Sequence, residues 1–220
     1  MTRAAVFDVD GTLVDSNYLH TAAWTEAFRQ TGHPVTGRDV HRALGLPGHD
    51  LLARLLGEEH DPDLADTLRA AHKTLYATHF ERLRPLPGAA DLLRAVADRG
   101  WRVVLATSAD GEELQALRRA IDADDVIAGT ASADDVSEGK PAPEPVHHAR
   151  SLAGDVPPEQ TVFVGDSVWD MRAASRAGAT PVGVTCGGLA AEELWAAGAA
   201  EVHADPAALL DALSVSPFGR

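Results

Sequence analysis

The sequence predicts an α/β fold: a mostly parallel sheet flanked by helices and interrupted once by a run of helices. Two observations lead there. Short apolar runs alternate with longer segments of helical periodicity over most of the 220 residues, as βαβ units require. Between residues 16 and 83 the alternation fails, and helical patterns follow one another directly.

Taken in order, the first strand is expected at 4–7, an apolar run leading into Asp8-Val9-Asp10-Gly11-Thr12-Leu13. Helices are expected next at 17–31, 36–45, 49–56 and 62–81, the last with Leu64, Leu68, Ala71, Leu75 and Thr78 at helical spacing. Pro85-Leu86-Pro87-Gly88 marks the return to alternation. Further strands are expected at 102–106, 126–128, 161–164, 181–184 and 201–203, with helices at 88–99, 111–120, 143–153, 168–178, 190–197 and 206–213. Sheets of this kind bind ligands at the carboxyl ends of their strands, and the chemistry-bearing motifs follow predicted strands.

Composition narrows the function classes. A chain of 220 residues, 45% hydrophobic and 24% charged, suffices for one core and a smaller insertion. No apolar stretch approaches the ~20 residues that span a bilayer, and the first strand begins with no signal-peptide h-region before it. The single cysteine, Cys186, excludes an intrachain disulfide and a thiolate metal site, and fits a reducing cytoplasm. A net charge of −14 opposes binding to a nucleic-acid backbone or an anionic membrane. An anionic metabolite is compatible with that charge if a cation, a lysine and backbone N–H groups focus positive potential in one cleft.

Four motifs carry chemistry. Asp8 and Asp10 are two apart on an extended segment, so both side chains point the same way. Carboxylates that close repel unless a cation neutralises them, which points to a Mg²⁺ site beside a nucleophilic carboxylate; the alternative is a solvated acidic turn. The run Val103-Val104-Leu105-Ala106 ends in Thr107-Ser108, a hydroxyl and backbone N–H groups able to hold phosphoryl oxygens. Asp110 with Glu113 has the spacing of a capping box, and a plain helix cap is the alternative there. In Gly139-Lys140-Pro141-Ala142-Pro143 the residues before each proline are pushed to extended backbone, so Lys140 projects in a fixed direction; the alternative is a solvated loop lysine. Val162-Phe163-Val164-Gly165-Asp166 ends a strand, and Asp170 four residues on shares a helix face with Asp166 if the helix begins there. Acidic N-capping is the alternative for that pair.

The joint order of these motifs resembles the haloacid dehalogenase-like superfamily over nearly the whole chain: strand-DxDGT, strand-Thr, Lys-Pro, then strand-GDxxxD. The resemblance implies a Rossmann-like core at 1–15 and 84–220 with an inserted helical cap at 16–83. It also implies an aspartate-nucleophile phosphohydrolase that uses Mg²⁺ and an aspartyl-phosphate. In that scheme Asp8 attacks phosphorus, and Asp10 protonates the leaving oxygen before activating water. Mg²⁺ is held by Asp8, Asp166 and the Asp10 carbonyl, while Asp170 works through water or orients Lys140. Gly11, Thr107, Ser108 and Lys140 are the expected phosphate contacts, with His20 and His49 as substrate contacts from the cap.

Within that superfamily Asp10 favours phosphoryl transfer over dehalogenation, since halide departure needs no proton donor. Asp15-Ser16-Asn17-Tyr18-Leu19-His20 and Trp24 resemble phosphoglycolate phosphatase-like and β-phosphoglucomutase-like members alike. At the loop Leu46-Pro47-Gly48-His49-Asp50, however, His49 stands where the mutase pattern has an arginine. The run Val182-Gly183-Val184-Thr185, with Gly187-Gly188 and Glu192-Glu193-Leu194, is closer to the phosphatases, so hydrolysis is the expectation and a phosphomutase the alternative. A non-catalytic domain that only binds metal or phosphate would not need the acid Asp10 beside Asp8. His41, His49, His60, His72, His79, His147 and His148 show no metal-ligand spacing. The expected partner is a small phosphorylated metabolite, the expected compartment the cytoplasm, and the expected state a monomer, with a homodimer as the alternative. Arg42, His49, His72 and Lys73 are candidates for setting specificity from the cap.

Overall fold

The computed structural model describes residues 2–219; Met1 and Arg220, the outermost positions of the expected core, lie outside them. Six strands form one sheet: β1 (Arg3–Phe7), β2 (Trp101–Ala106), β3 (Ile127–Ala131), β4 (Thr161–Gly165), β5 (Thr180–Val184) and β6 (Glu201–His203). Their spatial order is β3-β2-β1-β4-β5-β6, and every neighbouring pair is parallel. This is an α/β, Rossmann-like parallel sheet, with its switch of direction beside β1 and β4. The four central strands are nearly continuous apolar runs because both their faces are covered.

The period of two decides which helices cover which face. Ala5, Phe7, Val103, Leu105, Val162 and Val164 pack with α5 (Ala89–Asp98), α6 (Gly111–Ile121) and α10 (Pro206–Asp211) through Leu92, Leu93, Leu117 and Leu209. Ala4, Val6, Val104, Ala106 and Phe163 face the other way, onto α7 (Glu144–Leu152) and α8 (Val168–Arg176) through Val146, Ala149, Ala173 and Ala174. A short α9 (Ala191–Ala196) closes the β5–β6 edge through Leu194, which packs with Met171 and Ala199.

The helical run between β1 and α5 contains α1 (Asn17–Gln30), α2 (Gly37–His41), α3 (Gly48–Leu56) and α4 (Pro62–Ala77). It has an apolar cluster of its own, in which Trp24, Phe28, Val40, Leu51, Leu52 and Leu68 pack with Trp169 of α8. Local chemistry starts these helices: Thr36 caps α2 by accepting from the Asp39 N–H, and Asp61 caps α4 ahead of Pro62. The two connections to the rest of the chain run side by side, with the Asp15 N–H donating to the Arg84 carbonyl at 3.0 Å and the Leu86 N–H to the Leu13 carbonyl at 2.8 Å.

Boundaries differ from expectation by more than two residues in three places. The helix expected at 36–45 stops at His41, where Ala43, Leu44 and Leu46 N–H groups bond three residues back and tighten the chain into turns. The helix expected at 62–81 ends at Ala77 for the same reason, and a separate 3₁₀ turn follows at Phe80–Arg82. The strand expected at 126–128 runs on to Ala131, since ladder bonds to β2 override the low strand propensity of Gly129. No helix among the described residues is long and apolar enough to cross a membrane.

Leu52 is fully buried in the helical cluster. Leu52→Ala should therefore lower unfolding free energy by about 2–5 kcal/mol, read from the midpoint of a denaturant titration.

Candidate active site

Asp8, Thr107 and Asp166 each follow the last residue of a strand, so the parallel register brings them to one edge of the sheet. The Asp8 N–H still bonds the Val164 carbonyl at 2.9 Å, extending the β1–β4 ladder by one residue. Its carboxylate is buried and held on both oxygens: Oδ1 pairs with Lys140 Nζ, and Oδ2 accepts from Thr12 Oγ1 at 3.0 Å. Lys140, equally buried, reaches on to Asp170 Oδ1 at 2.7 Å. Asp170 is fixed in turn by the Ser167 N–H at 3.0 Å and hydroxyl at 2.6 Å, a capping box that starts α8. That helix begins at Val168, so Asp166 does not share a helix face with Asp170; it sits in the strand-end loop. There it accepts from Asn17 Nδ2 at 2.7 Å and Thr12 Oγ1 at 3.3 Å.

Asp8, Asp166 and Asp170 each offer an oxygen, all within 4.8 Å of one another. Three buried carboxylates thus share one ammonium. Burial pushes the Asp8 carboxyl up to about 7, with Asp170 and Asp10 adding to the rise and Lys140 opposing it. Burial and the charges of Asp8 and Asp170 hold Asp166 well above the usual carboxylate range. Burial alone would lower Lys140, but Asp170 and Asp8 outweigh it and raise its pKa. A set of buried oxygens with excess negative charge suits a hard divalent cation.

A second group lies in the same cavity. Asp10 Oδ1 accepts from Ser16 Oγ at 2.6 Å and lies 3.2 Å from His20 Nε2, which is also 3.6 Å from Glu113 Oε1. On its other side His20 Nδ1 is 3.2 Å from His72 Nε2. The His20 ring stacks on Tyr76 at 3.7 Å, and the His72 ring stacks on Trp24 at 4.0 Å. Burial would raise Asp10, but His20 and Ser16 hold it below the usual range. His20 is raised: burial is outweighed by Asp10 and Glu113. Burial and the neighbouring His20 push His72 down to about 2. A neutral His72 can accept from His20 Nδ1, while His20 Nε2 faces Asp10.

Asp8, Asp10, Lys140 and Asp166, with His20, line a cavity of about 230 Å³. A neighbouring cavity of about 440 Å³ shares Gly45, Gly48, Arg69, Ser108 and Lys140 with it. Thr107 lines the second; its hydroxyl accepts the Ala109 N–H at 3.0 Å, leaving its own hydrogen to donate. Ser108 is exposed and lines both. His49, expected as a substrate contact, is exposed, pairs with Asp50 at 3.1 Å and lines only the second cavity, apart from the Asp10 group. Gly11, expected to donate to phosphate, spends its N–H on the Val14 carbonyl at 2.9 Å; at φ +74° it shapes the turn that carries Asp10 and Thr12. The expected capping box fails as well, since the Asp110 side chain turns to Lys73 at 3.3 Å and Glu113 faces His20. Cys186 donates to the Gly11 carbonyl at 3.3 Å, and burial pushes its thiol up to about 12, which leaves it unreactive.

Sequence reasoning assigned no site role to Thr12, Ser16, Asn17 or Gly187, and it took the site-facing Glu113 for part of a helix cap. Thr12 stands inside the first motif and Ser16-Asn17 at the start of the insertion, so their positions were the available signal. Gly187 carries none locally, although a Cβ there would fall 1.7 Å from Asp166 Oδ2.

A family model described as "Hydrolase: haloacid dehalogenase-like hydrolase" matches residues 2–178. The chain is 34% identical over 189 residues to protein CbbY of Cereibacter sphaeroides, covering 81% of this chain and 82% of that protein. It is 31% identical over 193 residues to a phosphoglycolate phosphatase of Pseudomonas putida, covering 85% of this chain and 71% of the relative. Among solved structures, a hydrolase from Pseudomonas syringae superposes with a TM-score of 0.91 at 34% identity, covering 97% of this chain and 98% of that one.

Two outcomes follow from the geometry. Gly187→Ala must displace Asp166, and Tm measurements should show it abolishing the stabilisation that a divalent cation gives the wild type. The second concerns pH. Asp8 binds its proton more tightly folded, at about 7, than at the ordinary 3.8, and Asp166 is shifted the same way. Their contribution to stability is complete below pH ~4 and lost as pH rises through about 7. In chelator, the Tm should fall between pH 5 and 8, and a saturating divalent cation should recover most of the loss.

Proposed function

The chain belongs to the haloacid dehalogenase-like hydrolase family, and on that premise we propose that it is a Mg²⁺-dependent phosphatase cleaving a small phosphate monoester through an aspartyl-phosphate. The observation that carries the reading is Asp8, held at the end of β1 between Lys140 and Thr12, in one cavity with the His20-bound Asp10. A nucleophile and a separate acid-base group are what two-step phosphoryl transfer needs.

The Asp8 carboxylate attacks phosphorus while Lys140 and the Thr107 hydroxyl hold phosphoryl oxygens as charge redistributes. The proton held between His20 and Asp10 passes through Asp10 to the departing alkoxide, and the product alcohol leaves. The resulting carboxylate, oriented by Ser16 and His20, takes a proton from water. That water attacks the aspartyl-phosphate, releasing inorganic phosphate and restoring Asp8. Asp8 and Asp166, with the Asp10 carbonyl by resemblance to the family, would hold Mg²⁺, while Asp170 supports Lys140. Bound there, Mg²⁺ offsets the negative charge of Asp8 and of the phosphoryl group, so that one can approach the other.

We assign residues 16–83 to a cap over a core formed by 1–15 and 84–220. The cap's own apolar cluster and the paired connections at Asp15 and Arg84 support this division. Closure would exclude water until the alcohol has left. The substrate is a small phosphorylated metabolite, and we read the protein as a monomer working in the cytoplasm, where the Cys186 thiol stays reduced.

Phosphate release from a panel of monoesters, with Mg²⁺ and with chelator, tests the reading. Asp8→Asn should lower kcat by at least about 1,000-fold while Mg²⁺ still raises the Tm. Conversion of β-glucose 1-phosphate to glucose 6-phosphate with a bisphosphate primer, without phosphate release, would replace hydrolysis by mutase chemistry.

A further inference from the structure

The leaving-group end of the cavity is built from α4. Arg69, His72, Lys73 and Tyr76 stand at i, i+3, i+4 and i+7, on one face of that helix. The first three line the 230 Å³ cavity, opposite Asp10, Asp110 and Glu113. The cavity is thus rich in carboxylates, within a chain of net charge −14. An anionic substrate has few cations to meet there. Lys140 is bound by Asp8 and Asp170, Lys73 by Asp110 and His20 by Asp10 and Glu113, while His72 is neutral.

Arg69 differs from these. Its partner is Asp66, one turn back on the same exposed helix surface, where an ion pair contributes little. Such a partner yields readily to a better one. Arg69 is also the arginine, among the described residues, that lines both adjoining cavities. Its stem packs against the 45–48 loop, where a Cβ at Gly48 would lie 3.5 Å from Arg69 Cδ, so its guanidinium is aimed by contact with α3 as well as by α4. A planar fork of donors matches an oxyanion in two bonds.

We propose that Arg69 sets substrate choice by binding a second anionic group at the non-reacting end of the substrate. This rests on the phosphatase reading above. The substrate class is then a small phosphate monoester whose alcohol carries a carboxylate or a second phosphate. His49, exposed and paired with Asp50, does not compete for this role.

The experiment compares kcat/KM for matched pairs: 2-phosphoglycolate against 2-hydroxyethyl phosphate, and 1,3-propanediol bisphosphate against its monophosphate. The wild type should favour the doubly anionic member of at least one pair by about 10-fold or more, and the better pair identifies carboxylate or phosphate as the recognised group. Arg69→Gln should reduce kcat/KM for that member about 10- to 100-fold more than for its neutral-ended partner, mainly through KM. Arg69→Lys should restore part of the difference, since it keeps the charge and loses the fork. Equal losses within each pair, or no wild-type preference while neutral-ended esters turn over, would overturn the role of Arg69 and leave the phosphatase standing. Absence of Asp8-dependent phosphate release from all four esters would overturn both.

Discussion

The Lys140 ammonium, buried between Asp8 and Asp170, is the interaction on which the site depends. Removing the ammonium would strand buried carboxylates away from water, at a cost of several kcal/mol. The fold meets that demand by convergence of separate segments: Asp8 from the end of β1, Asp170 from the first turn of α8, and Lys140 from the loop before α7. Neutralisation is still incomplete, because Asp166 joins the same cluster. The residual negative charge suits a divalent cation, and burial, with Asp170 and Asp10 adding to it, keeps the Asp8 carboxyl far above its ordinary pKa.

Polar positioning is layered around that centre. Thr12 bridges Asp8 and Asp166, Asn17 ties Asp166 to the Gly187 carbonyl, and Ser16 with His20 holds Asp10. Asn17 and His20 belong to α1, so the helical insertion supplies positioning groups to both halves of the chemistry. The two aspartates of the first motif then diverge in behaviour. Asp8 is raised by burial, with Asp170 and Asp10 adding to it, whereas Asp10 sits against a raised histidine and is lowered.

Much of this was legible in the sequence because strand ends are. The apolar runs before Asp8, Thr107 and Asp166 were readable from hydrophobicity alone, and a parallel sheet necessarily gathers their carboxyl ends. Helix ends were less legible: α2 and α4 finish early through turn hydrogen bonds that leave no mark on periodicity. Glu113 was misread because a capping box and a site-facing carboxylate have the same local spacing, and only the position of α1 decides between them. Gly11 read as a phosphate donor, but its N–H closes the turn instead. His49 and Arg69 show the same limit: which cation of the insertion meets the cavity depends on helix packing, over distances no motif records.

Trp169 links mechanics to chemistry. It belongs to α8, one residue before Asp170, yet its indole is buried in the cluster formed by the helical insertion. Swinging residues 16–83 away from the sheet would strip that indole of its neighbours and loosen the first turn of α8. Asp170, and through it Lys140, would then lose lateral support. Were residues 16–83 to open as a cap, the exposed cleft would also be a slackened one. Trp169 would then serve as an interlock, firming the grip of the ammonium on Asp8 only with the cleft closed.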